Sequence, residues 1–248
     1  GQQRCQDSGS NSEIGSSSAA AGGDGNISYQ WQLDGADITG ATSATYTPAQ
    51  TEPGTYTFTR KAKDGSCADW TSSTGSYTLT IYALPTLSEP ANRTQSVCAG
   101  NAIDDITFTY TNATSIQASN LPAGLSLSGN KITGTPTASG TYTVTTVNEN
   151  GCTEVSRQGT ITVNNPQVTL NNLEGKTICD GSSTTLTASV ASREGTVTYA
   201  WDNSLGNNAT SGSITASGTY KVTATATIGS CTKTDAKSAT VSIYPTFS

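Results

Sequence analysis

Six cysteines are the residues of this chain whose type and spacing suit covalent chemistry. Cys67, Cys152 and Cys231 follow Gly54-Thr55-Tyr56, Gly140-Thr141-Tyr142 and Gly218-Thr219-Tyr220, at nearly equal offsets from the glycine. Cys5, Cys98 and Cys179 stand one ahead of each block. An even number, evenly distributed, is the pattern of a disulfide framework in an oxidising compartment. Zinc or thiol-redox chemistry would want closely spaced Cys or His ligands, and there is no Cys-x-x-Cys pair and no histidine.

Without histidine the usual general base is missing. Two carboxylate pairs stand out, Asp34 with Asp37 and Asp104 with Asp105. Glycoside hydrolysis needs two such groups facing each other across a cleft. Asp34 and Asp37 instead flank an Asp-Gly turn, where Asp is favoured for backbone reasons. Asp104 and Asp105 are the candidates for calcium at a module joint, since hard oxygen ligands suit that ion, although no Asp-x-Asp-x-Asp loop accompanies them. Trp70 is the candidate ligand contact, because an exposed indole stacks on sugar rings; the expected role is packing, on the end of its own core or on the next module. No catalytic, cofactor-binding or metal residue follows, and the chain is expected not to be an enzyme.

The elements behind these residues repeat three times, which defines a tandem array of similar modules. The 248 residues divide into blocks of roughly 80, a size that suits seven-strand sandwiches. Expected boundaries are 1–83, 84–164 and 165–248. Period-two alternation dominates, as in Thr107-Phe108-Thr109-Tyr110 and Tyr142-Thr143-Val144-Thr145, and no helical stripe competes with it. Expected strands in block one are 12–18, 27–33, 44–47, 54–61 and 75–82. In block two they are 104–111, 114–118, 124–128, 131–134, 140–147 and 158–164. In block three they are 167–171, 184–190, 196–202, 212–216, 218–227 and 237–244. The fold class is all-β, three antiparallel sandwiches in series. Pro85, Pro90 and Pro166 mark short, stiff links. Block one has only four residues before Cys5 and is expected to lack its first strand, through truncation of a longer array or donation by a neighbouring chain.

Charged residues make up only 12 %, and the net charge is −6, which excludes the basic footprint of a nucleic-acid partner. No apolar run reaches membrane-span length. Expected partners are neighbouring repeats or subunits of a larger array, with surface glycans or other surface proteins as candidates.

Tyr29-Gln30-Trp31-Gln32-Leu33-Asp34-Gly35 resembles the third strand and turn of an immunoglobulin-like module, and Tyr199-Ala200-Trp201 repeats it. Each Gly-Thr-Tyr resembles the start of the sixth strand, where the tyrosine hydroxyl bonds backbone. Two residues after that tyrosine stand Phe58, Val144 and Val222, so the inter-sheet disulfide of antibody domains is absent. Leu121-Pro122-Ala123-Gly124-Leu125-Ser126-Leu127 with Ile132-Thr133-Gly134-Thr135-Pro136 is similar to the "putative immunoglobulin", cadherin-like modules of bacterial surface proteins. Blocks one and three resemble immunoglobulin-like repeats of exported Bacteroidota proteins, among them giant gliding-motility adhesins and other type IX-secreted proteins. The resemblance implies an extracellular or cell-surface address and a structural or adhesive stalk or filament. The alternatives are a carbohydrate-binding or spacer region of a secreted enzyme, or a polymerising fibre subunit.

One pair per block is the simpler disulfide arrangement and the expected one: Cys5–Cys67, Cys98–Cys152 and Cys179–Cys231. In an immunoglobulin-like topology the second and sixth strands run parallel. A cysteine before one and a cysteine after the other would then sit at opposite ends. The alternative therefore joins neighbours, Cys5–Cys152 and Cys98–Cys231, and leaves Cys67 and Cys179 without partners in the chain.

Overall fold

A computed structural model describes residues 1–15, 24–66 and 69–245. Strands dominate, and the one helical element among the described residues is a 3-10 turn at Ala91–Arg93. Three separate cores form in series. The first gathers Ile14, Trp31, Ala41, Phe58, Leu79 and Ile81. The second is built around Ile106, Phe108, Ile132, Tyr142, Val144 and Ile161, and the third around Leu186, Trp201, Ile214, Tyr220, Val222 and Val241. The three expected sandwiches are thus present as immunoglobulin-like modules. Burial shows why the sequence folds this way: in Gly140–Val147, Tyr142, Val144 and Thr146 point inward, while the residues between them stay at least partly exposed. Thr146 is tolerated inside because its hydroxyl accepts from the Val155 N–H at 2.9 Å.

Each module has one larger sheet with the same order. In the first it runs Gln2–Cys5, Tyr77–Tyr82, Gly54–Asp64, Ile27–Leu33, Ala36–Asp37. In the second it runs Gln95–Cys98, Ser156–Asn164, Gly140–Val147, Ser115–Ser119. In the third it runs Lys176–Cys179, Cys231–Tyr244, Gly218–Ile228, Thr196–Trp201. The facing sheet is clearest in the second module, as Ile106–Thr107, Lys131–Gly134 and Leu125–Ser128. The single strand expected over 104–111 breaks in two. Ile106–Thr107 pairs with Lys131–Gly134, and Tyr110–Thr111 pairs with Thr86–Leu87, so the chain changes neighbours around buried Phe108. The expected strands 184–190 and 212–216 are reduced to bridges, Thr184 with Ile214 and Thr187 with Thr210, followed by a strand at Val190–Glu194. The expected strand 12–18 is seen as Ile14–Gly15, and its remainder lies outside the described residues.

The local motifs behave as their chemistry requires. Asp34 (φ 48°) and Gly35 (φ 86°) form the two-residue turn from Ile27–Leu33 into Ala36–Asp37, both in the left-handed region that such hairpins need. Trp31 and Trp201 are buried, and their indole N–H groups donate to Ser43 O and Asn208 O. Tyr56 and Tyr220 donate to carbonyls four residues upstream, Glu52 and Ala216. Tyr142 differs and donates across to Arg93 O at 2.9 Å. The reason is the residue opposite on the last strand. Tyr56 faces Leu79 and Tyr220 faces Ala239, but Tyr142 faces Gly159, where any Cβ would collide with its ring and with the Arg93 carbonyl.

Candidate functional site at the module joints

The first cysteine of each module lies on a strand absent from the expected set. Gln2–Cys5, Gln95–Cys98 and Lys176–Cys179 are short, mostly polar edge strands without clear alternation, and each runs parallel to the last strand of its own module. Parallel pairing carries Cys5, Cys98 and Cys179 to positions opposite Tyr82, Asn164 and Tyr244, where the chain leaves the module. The sixth strand runs antiparallel to the last, so the loop that follows it lies at the other end and faces the preceding module.

The disulfides therefore cross the joints. Cys5 of the first module bonds Cys152 of the second, with Cα atoms 5.4 Å apart, and Cys98 of the second bonds Cys231 of the third, at 5.5 Å. This corrects the expected pairings Cys5–Cys67, Cys98–Cys152 and Cys179–Cys231: Cys5 is taken by Cys152, and in the second and third modules the two cysteines sit at opposite ends of the sandwich. Cys179 is exposed and unpaired among the described residues, and Cys67 lies outside them.

Hydrogen bonds and turn geometry also hold the loop cysteines in place. Asn148 accepts the Cys152 N–H and donates to the Cys152 carbonyl, which closes the loop around it. Cys231 follows a two-residue hairpin turn, Gly229-Ser230, with Gly229 at φ 58°. That glycine also lies against the joint, since a Cβ there would stand 3.1 Å from Asn164 Nδ2. At the first joint Asn112 Nδ2 donates to Leu84 O at 2.9 Å, and Pro85 is buried. Tyr82, Asn112, Thr114, Asn148 and Asn150 line a small cleft there.

The carboxylates do not converge. Asp34 accepts the Thr57 N–H. Asp37 bonds Lys61, and that hydrogen bond, helped by Gln32, lowers its pKa below the usual carboxylate value. Asp105 bonds Lys131 at 2.9 Å, which lowers its pKa likewise with help from Thr133. Asp104 is placed by its backbone, which exchanges hydrogen bonds with the Gln95 side chain. A cleft beside Trp31, Phe58, Arg60 and Tyr77 has one acid among its lining residues, Glu13, whose carboxylate accepts from Thr45. No cluster of three His, Cys, Asp or Glu side chains able to hold a metal occurs among the described residues.

Trp70 is 39 % exposed. Lys61 Nζ lies 5.4 Å and Lys63 Nζ 5.0 Å from its ring centroid, a cation–π arrangement. It stays outside the core cluster of its module, and the direction of Gly54–Asp64 puts it at the end away from the second module.

Residues 83–166 match the family model described as "Putative Ig domain". No curated protein matches the sequence. Among solved structures, a three-Ig-domain titin structure in an E-to-A mutated variant is similar at 13 % identity, covering 89 % of this chain and 89 % of that chain, with a TM-score of 0.55. An I-band fragment of titin is similar at 13 % identity, covering 90 % of this chain and 89 % of that one, with a TM-score of 0.50. Sidekick-1 immunoglobulin domains 1–5 align at 17 % identity with a TM-score of 0.38; the match covers 88 % of this chain and 52 % of that chain, about half its length. These likenesses concern the fold.

Proposed function

We propose that this chain is a non-enzymatic, load-bearing connector, a stalk or adhesive segment of a larger secreted or cell-surface protein. The observation that carries this reading is the pair of disulfides across the joints. Each joint is spanned twice, once by the peptide chain and once by a disulfide, so swivelling between modules is suppressed. Limited charge, three small sandwiches in series and disulfides that need an oxidising compartment support the extracellular address. Module limits at 1–83, 84–164 and 165–248 belong to the same proposal, as does a parent protein of the Bacteroidota adhesin kind, with calcium left as a candidate ligand of the Asp104–Asp105 region. The test is solution scattering on oxidised and reduced chain. A distance distribution that broadens on reduction, with far-UV dichroism unchanged, supports the reading. Identical profiles refute it.

The spacer reading with a sugar-stacking platform on Trp70 is the weaker one, because Lys61 and Lys63 lie over that ring.

A further inference from the structure

The loop that presents Cys152 to the first joint contains Asn150-Gly151, the one Asn-Gly step in the sequence. Cys5 Sγ stands 4.0 Å from the Asn150 carbonyl oxygen, and Asn150 lines the joint cleft with Tyr82 and Asn148. Asn150 is exposed, and Gly151 takes φ 72°. Neither the Asn150 side-chain amide nor the Gly151 N–H has a hydrogen-bond partner among the described residues. An electrophile and a nucleophile therefore stand next to each other with nothing holding either. The glycine adds no Cβ to block their approach.

Other asparagines lack this combination. Asn11 donates to Pro48 O and Gln50 O, and the Ser12 N–H that follows it is taken by Gln2 Oε1. Asn112 and Asn148 commit their amides to Leu84 O and Cys152 O. Asn203 is exposed, but Ser204 after it carries a Cβ. The loop of the second joint, Gly229-Ser230-Cys231, has no asparagine.

We propose that Asn150 is a site of spontaneous deamidation and that its conversion to isoaspartate unlocks the first joint. The Gly151 nitrogen attacks Cγ of Asn150 and gives up its proton to solvent. The side-chain amide leaves as ammonia, and a five-membered succinimide remains. Water opens that ring at either carbonyl, to aspartate or to isoaspartate. In isoaspartate the main chain runs through the former side chain, so the loop gains one backbone carbon just ahead of Cys152. That carbon falls inside the ring closed by Asn148 on Cys152, and a new carboxylate appears beside the bridge. Cys5 and Cys152 are buried, so access of a reductant limits cleavage of their bond. The lengthened loop removes that protection. The proposal does not rest on the load-bearing reading, which scattering on fresh chain tests separately.

The experiment ages the oxidised full chain in mildly alkaline buffer and follows it by peptide mass mapping and by isoaspartyl methyltransferase labelling. The expected result is that the peptide holding Asn150 converts first among the asparagine peptides, to a mixture of aspartate and isoaspartate. In limited dithiothreitol followed by alkylation, aged chain should then release Cys5 and Cys152 several-fold faster than fresh chain, with Cys98 and Cys231 unchanged. Asn150→Gln, at an exposed side chain, should keep its far-UV dichroism and abolish both the labelling and the gain in reduction rate. Aged chain in which Asn150 survives while other asparagines convert overturns the proposal. So does conversion of Asn150 that leaves the reduction of Cys5–Cys152 unaltered, or an equal gain in aged Asn150→Gln.

Discussion

Pulling the chain by Gly1 and Ser248 separates the observed disulfide pattern from its rival. With both bridges closed, the shortest covalent path runs from Gly1 to Cys5, across to Cys152, back to Cys98, across to Cys231 and on to Ser248. At about 3.6 Å per extended residue, that path of about 75 residues reaches roughly 270 Å, against roughly 890 Å after reduction. Bridges within each block would give nearly the same oxidised length, so the wild type alone does not discriminate. The Cys98→Ser/Cys231→Ser variant does. In the observed pattern it loses one bridge, and the path from Cys5 through Cys152 to Ser248 spans about 100 residues, roughly 360 Å. In the rival pattern the same two substitutions break two bridges and free about 185 residues, roughly 670 Å. The assay is single-molecule force extension on monomeric chain whose free thiols were alkylated under native, non-reducing conditions. A limiting length of about 360 Å supports the joint-crossing bridges. A limiting length of about 670 Å refutes them.

The same double substitution loosens the third module. With the second module folded, the Cys98–Cys231 bridge closes a loop of roughly 65 residues in the unfolded third module, worth about 2 to 4 kcal/mol. Calorimetry should therefore show that module melting lower by on the order of 10 to 25 °C, and an unmoved transition would contradict the bridge. Gly159→Ala should destabilise the second module by about 1 to 3 kcal/mol in urea titration, because the added methyl displaces Tyr142 from the Arg93 carbonyl. Burial raises the Tyr142 pKa from 10.0 to about 12. Its stabilising effect is complete below pH 10 and is lost as the pH rises towards about 12. Ultraviolet titration of wild type against Tyr142→Phe should show one late-ionising phenol disappear. Asp235 accepts the Leu170 and Ala236 N–H groups, which lower its pKa from 3.8. Its contribution is present above that value and fades as the pH falls through the lowered one, so Asp235→Asn should flatten the acid unfolding of the third module below pH 3.8.

Much of the sandwich architecture is legible in the sequence because alternation and turn chemistry are local. Tyr142, Val144 and Thr146 point inward as their spacing requires, and Asp34-Gly35 turns where only left-handed backbone fits. The reach of Tyr142 to Arg93 is less legible, since it depends on Gly159, a neighbour across the sheet. Trp70 is legible as exposed aromatic material, but its lysine partners come from the adjacent strand end.

Taken alone, the sequence determined a threefold repeat, the β class, the tryptophan and tyrosine anchors and six cysteines set two to a block. Which cysteine meets which was a tertiary decision. Edge strands of four residues, too short and polar to carry a pattern, pair parallel to the last strand of each module. That pairing sends the first cysteine to the exit end, while the hairpin geometry sends the second to the end facing the preceding module. Bond formation needs Cα atoms within about 7 Å, and the neighbour's loop cysteine comes that close to Cys5 and to Cys98.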